Sequence, residues 1–231
     1  MHVAVVTLFP ELFEQFLATS FVGRAIAANK LAVHLEPLRA QGLGNHNSVD
    51  DTPYGGGSGM VLRVDCVVQA IEAAEAHLGG RAHRVLLTPQ GERFAQPAAE
   101  TLAARERIAF ICGRYEGFDE RIRTFVDQEI SLGDFILTGG EVAAMALIEA
   151  SVRLLPGVLG NAASTQAESF SPGTGGMLEY PQYTRPLEFR GLGVPEVLRS
   201  GHHEKISEWR QRQSLERTQT RRPELLPKAK P

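Results

Sequence analysis

Hydrophobic and polar positions alternate between two textures over the first 155 residues. Short apolar runs rich in β-branched side chains predict strands at 2–8, 32–37, 84–88, 108–112 and 129–137. Between them, apolar residues recur at helical spacing and predict helices at 11–18, 20–29, 65–78, 97–105, 117–125 and 141–155. Asp65 is a suitable N-cap for the third helix and Gly79-Gly80 a suitable stop, while Pro97 fits a first helical turn. Strands that take turns with helices imply an α/β fold, a mostly parallel sheet flanked by helices.

Two stretches break this rhythm. Residues 39–60 form a long polar, glycine-rich loop, and loops of that length carry function or move. Residues 156–193 are rich in Gly, Ser and Pro and read as a linker; helical character returns over 194–222. In that last segment Trp209 shares a helical pattern with Ile206 and Gln213, which suits a core position and also a platform for a nucleobase.

Composition adds limits. At 231 residues the chain accommodates one or two domains. No apolar run approaches the roughly 20 residues that span a bilayer. The N-terminal apolar run is short and lacks a basic segment before it, so it reads as a first buried strand and not as a secretion signal. The two cysteines, Cys66 and Cys112, fall in a helical pattern and an apolar strand and are expected as buried thiols in a cytoplasmic protein. Net charge is −3, but residues 199–231 carry nine Lys/Arg against four acids, which leaves the rest at −8. Such asymmetry fits a phosphate-binding surface, and it also fits a solvated helix face.

The richest segment is GRYEGFDERIRTFVDQEISLGDFILTGGEVA, residues 113–143. It follows the strand IAFIC and sets two glycine-rich turns around a short apolar piece. Glycine at a strand end lets main chain approach a ligand closely, and a turn opening into a helix offers N–H groups. Two such turns side by side would make a main-chain pocket suited to a flat heteroaromatic base. GGGSGM at 55–60 lacks the Lys-Ser/Thr of a P-loop, and GLGNHN at 42–47 lacks the third glycine of a dinucleotide fingerprint.

GRYEGFDER, SLGDF and TGGE, together with VDDTPYGGGSGM at 49–60, closely resemble the bacterial tRNA (guanine-N1)-methyltransferases of the TrmD family, in the SPOUT class of knotted S-adenosylmethionine-dependent enzymes. The resemblance runs from TLFPELF (7–13) through LTPQG (87–91), LLPGVLGN (154–161) and YTRP (183–186) to VPEVLRSGHH (194–203) and RRPELL (221–226). It implies a deep trefoil knot around 87–140; no rule of strand and helix patterning predicts one. It further implies three parts: a knotted S-adenosylmethionine-binding catalytic domain at 1–160, a mobile linker at 161–180, and a small helical tRNA-binding domain at 181–231. The expected partners are a tRNA anticodon stem-loop and a second copy of the chain in a homodimer, with the active sites at the subunit interface.

Methyl transfer to N1 of guanosine at tRNA position 37 requires loss of the N1 proton while charge spreads onto O6. That calls for a carboxylate base and a cation. By resemblance the base position falls on Glu168 and the cation on Arg153. The donor pocket falls on Leu87, Thr88, Pro89, Gly113, Tyr115, Glu116, Ser131, Leu132, Gly133, Asp134, Phe135, Ile136, Leu137, Thr138, Gly139, Gly140 and Ala143. The tRNA contacts fall on His46, Asp50, Gly55, Gly56, Gly57, Arg114, Arg185, His202, Lys205, Arg210 and Arg217. No metal ligands are expected, although the reading leaves room for Mg²⁺ in the reaction.

The chain departs from the family pattern twice. Glu168 in QAESF stands where relatives have aspartate, one methylene shorter; Ala143 stands where many have proline and should loosen the helix start. A carboxylate is a weak base near neutral pH, so Glu168 would need burial to raise its pKa. The glutamate is the feature that favours an alternative reading, a non-catalytic RNA-binding protein. A relative acting on another RNA is disfavoured by the loop at 42–57 and by the C-terminal segment, both of which match the tRNA enzymes.

Overall fold

The computed structural model describes residues 1–159 and 167–226. The chain divides into two compact units, Met1–Gly160 and Asn161–Pro231.

In the first unit the elements are β1 (His2–Thr7), α1 (Glu14–Ala18), α2 (Ser20–Ala27), β2 (Ala32–Pro37), β3 (Asp50–Asp51), β4 (Val61–Leu62), α3 (Val64–Leu78), β5 (His83–Arg93), α4 (Gln96–Ala103), β6 (Arg107–Cys112), β7 (Gln128–Ser131) and α5 (Glu141–Val152). Five strands form one sheet in the order β2-β1-β6-β5-β7, and every neighbouring pair is parallel. The expected α/β class is therefore present. Parallel central strands bury both faces, which explains why β1 and β6 read as unbroken apolar runs. Their side chains serve opposite cores at the two-residue period. Val3, Val5, Ile108 and Phe110 join α2 and α5 on one face. Ala4, Val6, Ala109 and Ile111 join α3 on the other. Each large side chain so buried contributes about 1.5–3 kcal/mol.

The second unit contains a short hairpin, β8 (Glu188–Phe189) and β9 (Leu192–Gly193), and α6 (His203–Arg221). Few apolar residues hold α6. Its buried positions are Ser214 and Thr218, whose hydroxyls bond the main chain of Leu178. Trp209 is half-buried and lies 6.4 Å, ring centre to ring centre, from Tyr183.

Several expectations change. The strand expected over 129–137 ends at Ser131, and 132–140 is irregular, because its glycines and outward apolar side chains find no partner strand. The helix expected over 117–125 is only a 3₁₀ turn at Glu120–Phe125, where Asp119 accepts the Arg121 N–H. The N-cap of α3 is Arg63, not Asp65; Asp65 sits inside the first turn and pairs with Arg63. Gly79 does end α3, with φ 72°. Pro97 lies in the first turn of α4, as expected. Both cysteines are buried free thiols. Among the described residues no helix is long and apolar enough to cross a membrane.

One ion pair ties α3 to the sheet. Arg84 of β5 donates two bonds of 2.8 Å to Glu75, which also accepts the Ala82 N–H at 3.0 Å. Burial works to raise the Glu75 carboxyl, but these donors outweigh it and hold the group below the ordinary carboxylate range. A depressed folded-state pKa gives stability that is present above the unfolded value and lost as pH falls through the folded one. Glu75→Gln is thus expected to lower unfolding free energy by about 2 kcal/mol at pH 7. The difference should shrink in acid, as followed by urea denaturation across pH.

Candidate active site

A cavity of about 290 Å³ opens beside the middle of β5 and at the carboxyl ends of β6 and β7. Three features of the chain build it. β5 loses its register against β7 between Leu87 and Glu92, so Thr88 and Pro89 stand off the ladder as one wall. β6 ends at Cys112, and Gly113–Phe118 turn across the opening as the second wall. The end of β7 and the irregular segment after it supply the third: Ser131, then Leu132, Gly133, Phe135, Ile136, Leu137, Thr138, Gly139 and Gly140, with Ala143 of α5 beyond. The backbone of 132–140 belongs to no sheet ladder; Gly133 and Phe135 bond locally, and Gly140 bonds Gly113 and Ala144.

Close main-chain approach is required here. Gly140 donates its N–H to the Gly113 carbonyl at 3.0 Å, and a Cβ on Gly140 would lie 2.8 Å from the Cys112 Cα. The two glycine-rich turns are thereby joined directly. At Gly113 an added Cβ would meet the Phe118 ring at 2.6 Å. A valine there would displace a cavity wall before touching any ligand. Tyr115 holds φ 58°, a left-handed conformation that costs a bulky residue about 1 kcal/mol and is typical of strained functional turns.

Of the donor-pocket residues expected from sequence, all line this cavity except Asp134, which lies on the surface paired with Arg93. Arg114, expected as an RNA contact, also lines it. Gly117, Phe118 and Ile130 line it too and were not anticipated individually, although two of them belong to the same GRYEGFDER segment. Ala143 does not loosen α5: the helix begins at Glu141, and the Ala144 N–H bonds Gly140 at 2.9 Å.

A buried charge cluster braces the cavity floor. Glu141, 1% exposed at the first turn of α5, accepts the Thr7 hydroxyl at 2.9 Å and faces the Arg114 guanidinium at 3.0 Å. Arg114 also lies over the Phe9 ring, 4.4 Å from its centre. Burial, and then the Glu141 charge, push the neighbouring Cys112 thiol well up. It stays protonated and is a poor nucleophile. Thr7 and Glu141 gave no separate sequence signal.

The 39–60 loop is fastened to the same wall. Glu116 donates its N–H to Met60, Leu62 donates to Gly117, and Asp119 donates to Leu62, at 2.9–3.0 Å. The TPYGGGSGM segment thus leads straight into the cavity rim. Gly55, Gly56 and Gly57 all have positive φ, His46 is exposed, and Asp50 is half-buried in β3.

Arg153 is the C-cap residue of α5, half-buried, with its N–H on the Glu149 carbonyl at 3.2 Å. Glu168 belongs to the second unit, where its carbonyl accepts the Ser171 hydroxyl at 2.7 Å and the Thr174 hydroxyl at 3.1 Å. The expected linker 161–180 lies outside the described residues up to 166. Over 167–180 it carries such hydrogen bonds within the second unit. In that unit Arg185, His202 and Lys205 are exposed, Arg217 is half-buried, and the exposed Arg210 lies 4.6 Å from the Tyr180 ring centre.

A parallel α/β sheet with a main-chain-walled cavity at its strand ends is an architecture found among enzymes that take nucleotide-like ligands. Residues 1–228 match the family described as tRNA (Guanine-1)-methyltransferase TrmD, and the chain belongs to that family. A tRNA (guanine-N(1)-)-methyltransferase of Sorangium cellulosum (strain So ce56) is 60% identical over 250 residues, spanning 100% of this chain and 95% of its own. The protein of that name from Anaeromyxobacter dehalogenans (strain 2CP-C) is 51% identical over 226 residues, spanning 98% and 91%. That from Latilactobacillus sakei subsp. sakei (strain 23K) is 49% identical, spanning 98% and 91%.

Removing one partner of the buried cluster leaves the other uncompensated. Glu141→Ala is expected to cost about 3 kcal/mol of unfolding free energy, because Arg114 and the Thr7 hydroxyl lose their shared acceptor. A urea midpoint unchanged from the parent would remove the cluster from the supports of the fold.

Proposed function

We propose that the chain transfers a methyl group from S-adenosylmethionine to N1 of guanosine 37 of tRNA, beside the anticodon. The observation that carries this reading is the coincidence of the family's motif residues with the lining of one main-chain cavity. The fit to the donor is chemical. Irregular backbone at 132–140 provides edge hydrogen bonds for adenine; Leu87, Ile130 and Leu132 provide a flat apolar slot; and Glu116 suits the cationic end of the amino-acid portion. Once bound, S-adenosylmethionine supplies an electrophilic methyl group on a sulfonium.

The rest of the chemistry belongs to the chain. Glu168 takes the proton from N1, so that the ring nitrogen gains the lone pair needed to bond the methyl carbon. Arg153 stabilises the negative charge that spreads to O6. The target base leaves the anticodon-loop stack to reach this site. His46, Asp50 and the glycines at 55–57 meet the RNA from the catalytic domain, and Arg185, His202, Lys205, Arg210 and Arg217 from the C-terminal one. Catalytic domain 1–160, linker 161–180 and tRNA-binding domain 181–231 are the assigned parts, with the knot of the SPOUT class around 87–140. A homodimer with shared active sites accounts for the apolar side chains left at the cavity rim, where Ile136 is 81% exposed and Val142 58%. A tRNA substrate places the protein in the cytoplasm. Assays with and without Mg²⁺ decide whether the reaction uses that ion.

Glu168→Gln keeps shape but cannot take a proton, so kcat is expected to fall about 10²–10⁴-fold with donor affinity near normal. Glu168→Asp should match or exceed the parent. Arg153→Ala is expected to lose about 3 kcal/mol of transition-state stabilisation. Single-turnover methylation of unmodified tRNA transcripts reads all three; parent-like turnover by Glu168→Gln would place the base elsewhere.

Ala143→Leu pushes a larger side chain into the donor slot, and calorimetry should show S-adenosylmethionine affinity reduced at least about tenfold with the fold intact. Unchanged affinity would move the donor out of this cavity. Mapping the methyl group to a carbon, a ribose or another nucleotide would defeat the assignment of the product.

A further inference from the structure

The edge strand β2 lies across the sheet from β7, away from the donor cavity. His34 and Glu36 are two residues apart on β2 and so share one face, the face over which α3 packs. His77, in the last turn of α3, comes down on the same spot. The three side chains converge: His34 Nε2 lies 2.9 Å from Glu36 Oε2, and His77 Nδ1 lies 3.8 Å from that same oxygen. The two imidazole rings stack, 3.9 Å between centres and 17° from parallel. Glu36 is 4% exposed, while the His77 side chain is 59% exposed and gives the cluster an opening to solvent.

We propose that His34, Glu36 and His77 bind a transition-metal dication of the Zn²⁺ type, separate from the methyl-transfer site. Two imidazole nitrogens and one carboxylate oxygen are the donor set that Zn²⁺ favours, and three protein ligands leave a fourth position for water. The spacing fits. Ligands at about 2.0–2.1 Å from a tetrahedral ion lie about 3.3 Å apart, and the two separations, 2.9 and 3.8 Å, bracket that value. All three ligand atoms lie within 4.8 Å of one another. Neutral imidazole is the form that ligates. A nearly buried carboxylate then gains its compensating charge from the dication. His77 Nδ1 lies 3.1 Å from the Ala73 carbonyl, so without metal it carries the proton of that hydrogen bond. Coordination through Nδ1 uses the other tautomer, with the proton on Nε2, so the hydrogen bond to Ala73 is given up and the neutral ring loses no proton. Mg²⁺, which requires octahedral oxygen ligands, does not suit the set. The bound ion would clip the sheet edge to the end of α3.

The test uses the full-length chain without an affinity tag, stripped with chelator and titrated calorimetrically with ZnCl₂. One ion should bind per chain with micromolar or tighter affinity, and the melting temperature should rise with added Zn²⁺. His77→Ala should weaken binding at least about tenfold, and the His34→Ala/His77→Ala pair should abolish both binding and the thermal shift. Melting in chelator, near that of the parent for the exposed His77→Ala, shows that the fold survives. MgCl₂ should give no saturable heat. Absence of Zn²⁺ binding by the parent, or binding by the double variant equal to it, would overturn the proposal.

Discussion

The contact among Glu141, Arg114 and Thr7 is the constraint on which the cavity depends. It joins the carboxyl end of β1, the turn after β6 and the first turn of α5, three pieces distant in sequence, around one carboxylate almost without solvent. A charge in that position cannot be left unpaired. Its partners therefore fix where the Gly113–Phe118 turn crosses the strand ends. The position of Glu141 in the first helical turn of α5 helps, since a carboxylate there meets the positive end of the helix dipole.

Around this brace the cavity is mostly a backbone construction. The Gly140–Gly113 hydrogen bond locks the two glycine-rich turns to each other, and the break in the β5–β7 register frees Thr88 and Pro89 from ladder duty. Pockets built this way depend on where chains pass, more than on what side chains offer. Substitutions at such glycines consequently act through neighbouring walls: Gly113 through Phe118, Gly140 through Cys112. Tyr115, held at positive φ, shows the same economy, with a side chain presented from a conformation that a relaxed loop would avoid.

The two compact units differ in what holds them. The first has a core on each face of its sheet, filled by Phe, Ile, Leu and Val. In the second, α6 is anchored through hydroxyls, with Ser214 and Thr218 gripping the Leu178 main chain. A helix with so little apolar commitment keeps most of its length for solvent-facing charge.

The sequence alone determined the α/β class, three of the five sheet strands to within a residue and the buried state of both thiols, and its family resemblance marked out most of the residues that line the cavity. Period-two and helical patterns are local, and glycine-rich turns declare themselves by composition. It misjudged the apolar piece DFIL as strand and 117–125 as helix, because an apolar run signals burial or ligand contact without saying which, and turn geometry overrode helical spacing. Only the tertiary structure decided that Thr7 and Glu141 share a hydrogen bond, that Arg114 braces the cavity, and that His34 and Glu36 on β2 meet His77 from α3. Such meetings depend on strand order and on the seating of helices over the sheet. Those are set by the whole core at once, and no local pattern along the chain encodes them.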